Sequence, residues 1–346
     1  MKKKPTAKRH AQLHVQLRRT ITVGSVLLGI FLFVIVLLLV RTQSLSLRLS
    51  ELEMKNAKMA LEATAYKRAY CTNSFSAIKA NTTTGYHMQS AGYARTYRVH
   101  TPKDYDPTVR YPVVFSFDGV GGSGSRIESY SGIDSLPVIA VYPDALHGRQ
   151  GFTAWQGAPY SLKGDYDIQF VRDLLEAIPS NYCTDSTKVF AVGMSNGGGF
   201  VALAGCRLPD KFRAVASVSG AYYTSCGETT QAPSLLIIHS ESDRQVPFDG
   251  SSKRGLPAIT QWAKREARKR LCKDVVQSQA KSGDTAVKQN TLTVFDWQEC
   301  QHNSLLRLVV VQDQNHGWLQ IPEALIGGTS GTSGYIWEFF QTVAMR

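Results

Sequence analysis

The sequence predicts an α/β domain, with a mostly parallel central sheet and helices on both of its faces, preceded by a single transmembrane helix. Three observations carry that expectation. From about residue 93, short apolar runs such as Pro112–Phe117, Pro137–Tyr142 and Ser234–His239 alternate with stretches of helical spacing. A strand buried on both faces reads as a continuous apolar run, which belongs to parallel sheets sheathed in helices. Gly193-Met194-Ser195-Asn196-Gly197 falls where one such run meets a helical stretch. Ahead of them all, Ile21 to Val40 runs twenty residues without a charge, about the ~20 that a helix needs to cross a ~30 Å hydrocarbon layer.

In chain order, residues 1–20 hold seven of the 39 Lys and Arg and no acid, and residues 21–40 hold only Thr22 and Ser25 as polar side chains. A cleaved signal peptide has a shorter apolar region, roughly 7–15 residues, and ends at small residues; Val40-Arg41-Thr42-Gln43 offers no such site. The expectation is an uncleaved anchor over 21–40, with residues 1–20 a cytoplasmic tail and the bulk of the chain outside, secreted only if the anchor is cut. Residues 41–70 carry Leu45, Leu47, Leu49, Leu52, Met54, Met59 and Leu61 among charges, without Pro or Gly, and read as a helical stem. The net charge of +12 is therefore largely terminal, since 32 basic and 27 acidic residues remain from 41 onward. Nucleic acid is not an expected partner, and the run Lys264 to Arg270 reads as the solvated side of a helix bearing Trp262. Residues 71–346 form one domain. Asn81-Thr82-Thr83 is a glycosylation sequon.

Within the domain the expected strands are Tyr97–His100, Pro112–Phe117, Pro137–Tyr142, Lys188–Val192, Arg213–Val218, Ser234–His239 and Leu305–Val311. The expected helices are Asp167–Ile178, Gly197–Arg207, Leu256–Leu271 and Tyr335–Val343.

The pentapeptide carries the chemistry. A serine on a tight strand-to-helix turn lifts its hydroxyl above the sheet, and small residues two positions either side let strand and helix approach. That context makes Ser195 a nucleophile and the domain an α/β-hydrolase. A serine hydroxyl needs a base, and in this fold the acid and then the histidine follow it in the chain. His316, in the loop past the last apolar strand, is the expected base. Asp243, after Ser234–His239, is favoured as the acid over Glu241 and Asp249. An oxyanion hole requires backbone N–H donors: Asn196, next to the nucleophile, and Val120 in the loop Asp118-Gly119-Val120-Gly121-Gly122, with Gly121 next in line. All six cysteines (Cys71, Cys183, Cys206, Cys226, Cys272, Cys300) follow the apolar span, which points to disulfides in an exported domain, although six allow 15 pairings. No CxxC spacing, metal-ligand pattern, phosphate loop or cofactor motif is present, so neither metal nor cofactor is expected.

At these residues the chain resembles the exported feruloyl esterase and polyhydroxybutyrate depolymerase-like family, related to acetylxylan esterases. The resemblance covers roughly 71–346. It rests on Asn181 through Phe200 around Ser195, on Cys206 with Pro209-Asp210-Lys211-Phe212, on Ala154-Trp155-Gln156-Gly157, on Asp167 to Phe170, on His239 to Pro247 and on His316-Gly317-Trp318. It implies ester hydrolysis through an acyl-enzyme, acting on feruloyl or acetyl groups of polysaccharide or on a polyester. It implies Asp243 as the acid, supports His316 as the base, and links Cys272 to Cys300. On the esterase reading, Trp155 and Trp318 offer apolar surface to an aromatic acyl group. Cys183–Cys206 is expected because both lie toward the sheet's amino end, which leaves Cys71–Cys226.

Three positions depart from the family: Asp118-Gly119 for His-Gly, His239-Ser240 for His-Gly, and Leu319 where proline is common. A carboxylate beside the hole is expected to disfavour the oxyanion, so Asp118→His should raise activity. Two other readings keep the same residues: a cell-envelope acyltransferase of mycolyltransferase type, and an anchored binding protein without catalysis.

Overall fold

The computed structural model describes residues 31, 34–35, 37–56, 58, 71, 78–225, 231–281, 291–321 and 331–346. The chain divides into two compact units, Met1–Lys67 and Arg68–Arg346. In the first, residues 37–56 are helical (α1) and exposed. The expected membrane span, 21–40, lies largely outside the described residues. Among the described residues, no helix is long and apolar enough to cross a membrane.

The second unit is built on a ten-stranded sheet of order β1-β2-β4-β3-β5-β6-β7-β10-β9-β8. Six central strands are parallel: β4 (Ile139–Pro143), β3 (Tyr111–Phe117), β5 (Thr184–Met194), β6 (Ala214–Val218), β7 (Ser234–Ser240) and β10 (Leu306–Val311). Antiparallel pairs flank them, β1 (Thr83–Ser90) with β2 (Tyr93–His100) at one edge and β9 (Thr291–Gln298) with β8 (Asp274–Lys281) at the other.

Alternate side chains of each central strand feed two cores. Phe115, Ala191, Val215, Ile237 and Leu308 face α3 (Tyr166–Asn181), α4 (Asn196–Arg207) and α5 (Ile259–Lys269). Val114, Phe190, Val192, Ala216, Ile238 and Val309 face α2 (Gly124–Ser131) and α6 (Gly331–Ala344), where Phe190 stacks on Phe340 at 4.5 Å. Every described residue of β4, β6 and β7 is buried, as expected of strands covered on both sides. After β3 the chain turns to β4 on one side, and β5 returns on the other side of β3. Such a reversal opens a crevice at the carboxyl ends of the strands, and the functional residues gather there.

The structure differs from expectation at several points. Strand β1 is not among the expected strands; its residues are mostly exposed or half-buried, so no apolar run marks it. Helix α2 is short and polar, and the edge pair β8–β9 lacks a continuous apolar run, so neither stands out by composition. On α5, Trp262 is buried and stacks on Tyr222 at 3.5 Å. Two residues of the basic run there are structural: Glu266 and Arg270 form a buried pair at 2.9 Å, and Arg270 also holds the Pro233 carbonyl.

The disulfides need correction. Cys272–Cys300 is formed, but Cys183 pairs with Cys71, so neither Cys183–Cys206 nor Cys71–Cys226 stands. The cause is the loop before β3: Cys71 donates its N–H to the Thr108 carbonyl, and Tyr111 donates to the Cys183 carbonyl. Both cysteines are thereby brought to one corner of the sheet's amino end, with Cα atoms 5.8 Å apart. Cys206 is also disulfide-bonded, and Cys226 lies outside the described residues.

Candidate active site

Ser195 stands between β5 and α4 with φ 57° and ψ −117°, a conformation a non-glycine residue holds only where its surroundings impose it. They do so here. Its N–H donates to the Val218 carbonyl, and its own carbonyl accepts from Gly199 and Ala221. A Cβ on Gly193 would overlap the Gly197 carbonyl, and a Cβ on Gly197 would overlap that of Phe117. The two glycines of the motif are thus required by close approach of strand, helix and the neighbouring β3.

His316 Nε2 lies 2.8 Å from Ser195 Oγ, and its Nδ1 lies 2.7 Å from Asp243 Oδ2. A carboxylate only accepts, so Nδ1 carries the ring proton, and Nε2 presents its lone pair to the serine hydroxyl. Asp243 is itself held by its other oxygen, which accepts from the amides of Gln245 and Val246 at 2.8 Å each. Burial alone would raise the Asp243 carboxyl; the bonds from His316 and the Val246 amide, with the adjacent imidazoles, outweigh it and hold it below the ordinary carboxylate range. Glu241 is exposed. Beneath the acid, His239 is fully buried, donates Nε2–H to the Val246 carbonyl at 2.9 Å, and is held neutral by burial, which lowers its pKa.

Two hydroxyls pin the histidine loop. Ser219 Oγ donates to the Gly317 carbonyl at 2.9 Å, and Ser240 Oγ to that of Gln314 at 2.5 Å. Ser240, one of the three departures, thus gives the loop a tether that glycine cannot. Leu319, another, is buried in the α2–α6 core.

The loop after β3 lies against the nucleophile: a Cβ on Gly119 would stand 3.1 Å from Ser195 Cβ. Its glycine amides are already committed. Gly119 donates to the Asp118 carboxylate, Gly121 to the Thr153 carbonyl and Gly122 to that of Gly119. Among the described residues, the N–H groups of Val120 and of Asn196 meet no acceptor. Gly121, the second choice for a donor, is therefore excluded by its own bond.

Asp118 does not stand as an open carboxylate beside the hole. Its carboxylate is 1% exposed and turned into the protein, where it accepts from Arg126 (2.7 and 3.0 Å), Tyr130 (2.6 Å), Gly119 (2.7 Å) and Ser123 (3.2 Å). It fastens the loop to α2 and directs no lone pair at the hole. Trp155 is corrected as well. At 1% exposure it packs between Phe117 and Phe200 and offers no surface to a substrate. Trp318 is half-buried, 6.0 Å from the Tyr130 ring. An aromatic residue not singled out in the sequence, Phe152, is 62% exposed beside Gly121. Its only signal is an aromatic residue in a polar, glycine-flanked loop. Among the described residues, no cluster of side chains is fit to hold a metal ion.

A parallel sheet with a serine on a strained strand–helix turn, followed in the chain by a carboxylate and an imidazole in line with it, defines an α/β-hydrolase. The chain belongs to the putative esterase family, whose model matches residues 89–316, about two thirds of the sequence. It is 30% identical over 165 residues to a probable feruloyl esterase C of Aspergillus terreus, covering 45% of this chain and 57% of that protein. It is also 30% identical over 181 residues to the putative esterase NocK of Nocardia uniformis, covering 49% of this chain and 52% of that one. The chain thus spans a little over half the length of the curated relatives it matches. Among solved structures, the acetyl xylan esterase of Aspergillus awamori superposes with a TM-score of 0.48 at 15% identity, over 67% of this chain and 94% of that one.

Proposed function

We propose that the protein is a serine carboxylic-ester hydrolase working through an acyl-enzyme. The observation that carries this is the hydrogen-bonded line Ser195–His316–Asp243 beside two uncommitted N–H groups. Ser195 Oγ attacks the acyl carbon while His316 Nε2 takes its proton, and Asp243 keeps the imidazole oriented and steadies its charged form. The carbonyl oxygen gains charge against the N–H groups of Val120 and Asn196. The carbon–oxygen bond to the alcohol then breaks, and the alcohol leaves with the proton from His316. Water, deprotonated by the same nitrogen, releases the acid and restores Ser195.

Kinship to feruloyl esterases supports an aromatic or short acyl group on a polysaccharide alcohol. Phe152 and Trp318, at the rim, are the apolar surfaces such a group would meet. The disulfides support work in an oxidising compartment, in keeping with a domain held outside the membrane. A fluorophosphonate probe should label the parent and not Ser195→Ala, and labelling of both would refute the reading. Methyl ferulate, 4-nitrophenyl acetate and hydroxybutyrate oligomers, offered to the full chain, identify the acyl group. A transfer product with an added alcohol would show an acceptor other than water.

A further inference from the structure

The two N–H groups of the proposed oxyanion hole sit on separate segments, Val120 in the loop after β3 and Asn196 at the start of α4 after β5. One residue is bonded to both. The Trp155 backbone N–H donates to Asn196 Oδ1 at 2.7 Å, and its carbonyl accepts from Asn196 Nδ2 at 3.2 Å. Its indole Nε1–H donates to the Asp118 carbonyl at 3.0 Å, two residues ahead of Val120. The ring spans the same junction: it meets Phe117, the last residue of β3, edge-on at 5.0 Å, and stacks on Phe200 of α4 at 5.1 Å.

The segment holding Trp155 is itself anchored. Gln156 donates its N–H to Asp167 Oδ2 at 2.8 Å, and its Oε1 accepts from the amides of Asp167 and Ile168 at 3.2 and 3.0 Å, in the first turn of α3. Asp167 in turn pairs with buried Arg95 at 2.8 Å, whose guanidinium lies 6.0 Å from the Trp155 ring centre. Trp155 therefore links a rigid helix to both sides of the hole.

We propose that Trp155 is a positioning residue that sets the separation and aim of the Val120 and Asn196 N–H groups; this rests on the ester-hydrolase reading. A group acting this way affects the transition state, where charge has reached the oxygen, and leaves ground-state binding nearly alone. Removing a whole oxyanion donor costs ~10²–10³-fold in kcat, and a misplacement of ~1 Å up to ~10²-fold. Trp155→Phe keeps the aromatic packing and the backbone bonds but leaves the Asp118 carbonyl without its donor. Its kcat is expected to fall about tenfold to a hundredfold, with KM within about twofold.

The test uses the full chain as parent, Trp155→Phe and Ser195→Ala, with 4-nitrophenyl acetate for kcat and KM and phenylboronic acid as a tetrahedral analogue. The expected result is a lower kcat and weaker boronate inhibition in Trp155→Phe at near-parental KM. Parental kcat in Trp155→Phe, with or without a lower melting temperature, marks a packing role alone and overturns the proposal, provided Ser195→Ala is inactive. Parental activity in Ser195→Ala overturns the hydrolase reading and the proposal with it. If Trp155→Phe does not fold, Asn196→Ala carries the test, because it removes both side-chain bonds to the Trp155 backbone while keeping the residue's own N–H and adding no charge. Parental kcat in folded Asn196→Ala overturns the proposal, and a fall at constant KM supports it.

Discussion

Replacing Asp118 tests what holds the oxyanion loop in place. The carboxylate takes five hydrogen bonds, two of them from Arg126, and is 1% exposed. Hydrogen bonds to a buried charge contribute about 1.5–3 kcal/mol each, but Arg126 is 47% exposed, so solvent screens much of the ion pair itself. Asp118→Asn keeps the shape and one acceptor, and turns the second oxygen into a donor facing Arg126 and either the Ser123 amide or Tyr130 and the Gly119 amide. Losing at least two bonds in this way, one of them to the screened Arg126, should destabilise the domain by about 2–4 kcal/mol. At roughly 2–4 °C per kcal/mol for a domain of this size, the melting temperature should fall by about 4–16 °C. The same bonds hold Gly119, so hydrolysis of 4-nitrophenyl acetate, measured cold enough that the variant stays folded, should drop about tenfold or more. Asp118→His should move both quantities in the same direction. A faster Asp118→His enzyme with an unchanged melting temperature would refute this reasoning, because the carboxylate would then be acting on the hole and not on the loop.

Ser240→Gly removes the tether to the Gln314 carbonyl. A loss of about 1 kcal/mol, expressed at the base, lowers kcat about fivefold, and steady-state kinetics with unchanged folding by circular dichroism checks it. Asp243, held below its ordinary value of 3.8, adds stability that is complete above that value and is lost as pH falls through the lowered one. The melting-temperature gap between the parent and Asp243→Asn should therefore narrow as pH drops from about 6 to about 3; a constant gap would contradict the assignment. Replacing Cys71 and Cys183 together by serine opens a cross-link of sequence separation 112 and should cost about 2–5 kcal/mol in a denaturant titration. Both sulfurs sit at the sheet's amino end, away from Ser195, so kcat in the folded variant should stay at the parental value.

Much of the core and the line of three side chains can be read in the sequence for one reason. The central strands are buried on both faces, so they appear as unbroken apolar runs, and Ser195, Asp243 and His316 each follow such a run by a few residues. What escapes is whatever depends on a partner that local pattern does not name. Asp118 reads as a charge beside glycines until Arg126 and Tyr130 are aligned by one turn of α2, itself only eight residues of mostly polar sequence. Trp155 reads as apolar surface until Phe117 and Phe200 close over it. Cys71 finds Cys183 through the Thr108 carbonyl, a contact that neither cysteine's neighbours announce. β8 faces solvent at the sheet's edge, where burial imposes little pattern.

The reversal of strand order around β3 bears on how such a protein can change its diet. On the proposed mechanism the oxyanion amide of Val120 follows β3, Ser195 β5, Asp243 β7 and His316 β10, so each group is held by its own strand and their mutual spacing belongs to the sheet. The exposed Phe152, on a loop beyond those strand ends, is under no such constraint. Loops of this kind can lengthen, shorten or trade an aromatic residue while the chemistry stays where it is. New substrates are therefore open to this scaffold by recutting its rim, without moving a single catalytic atom.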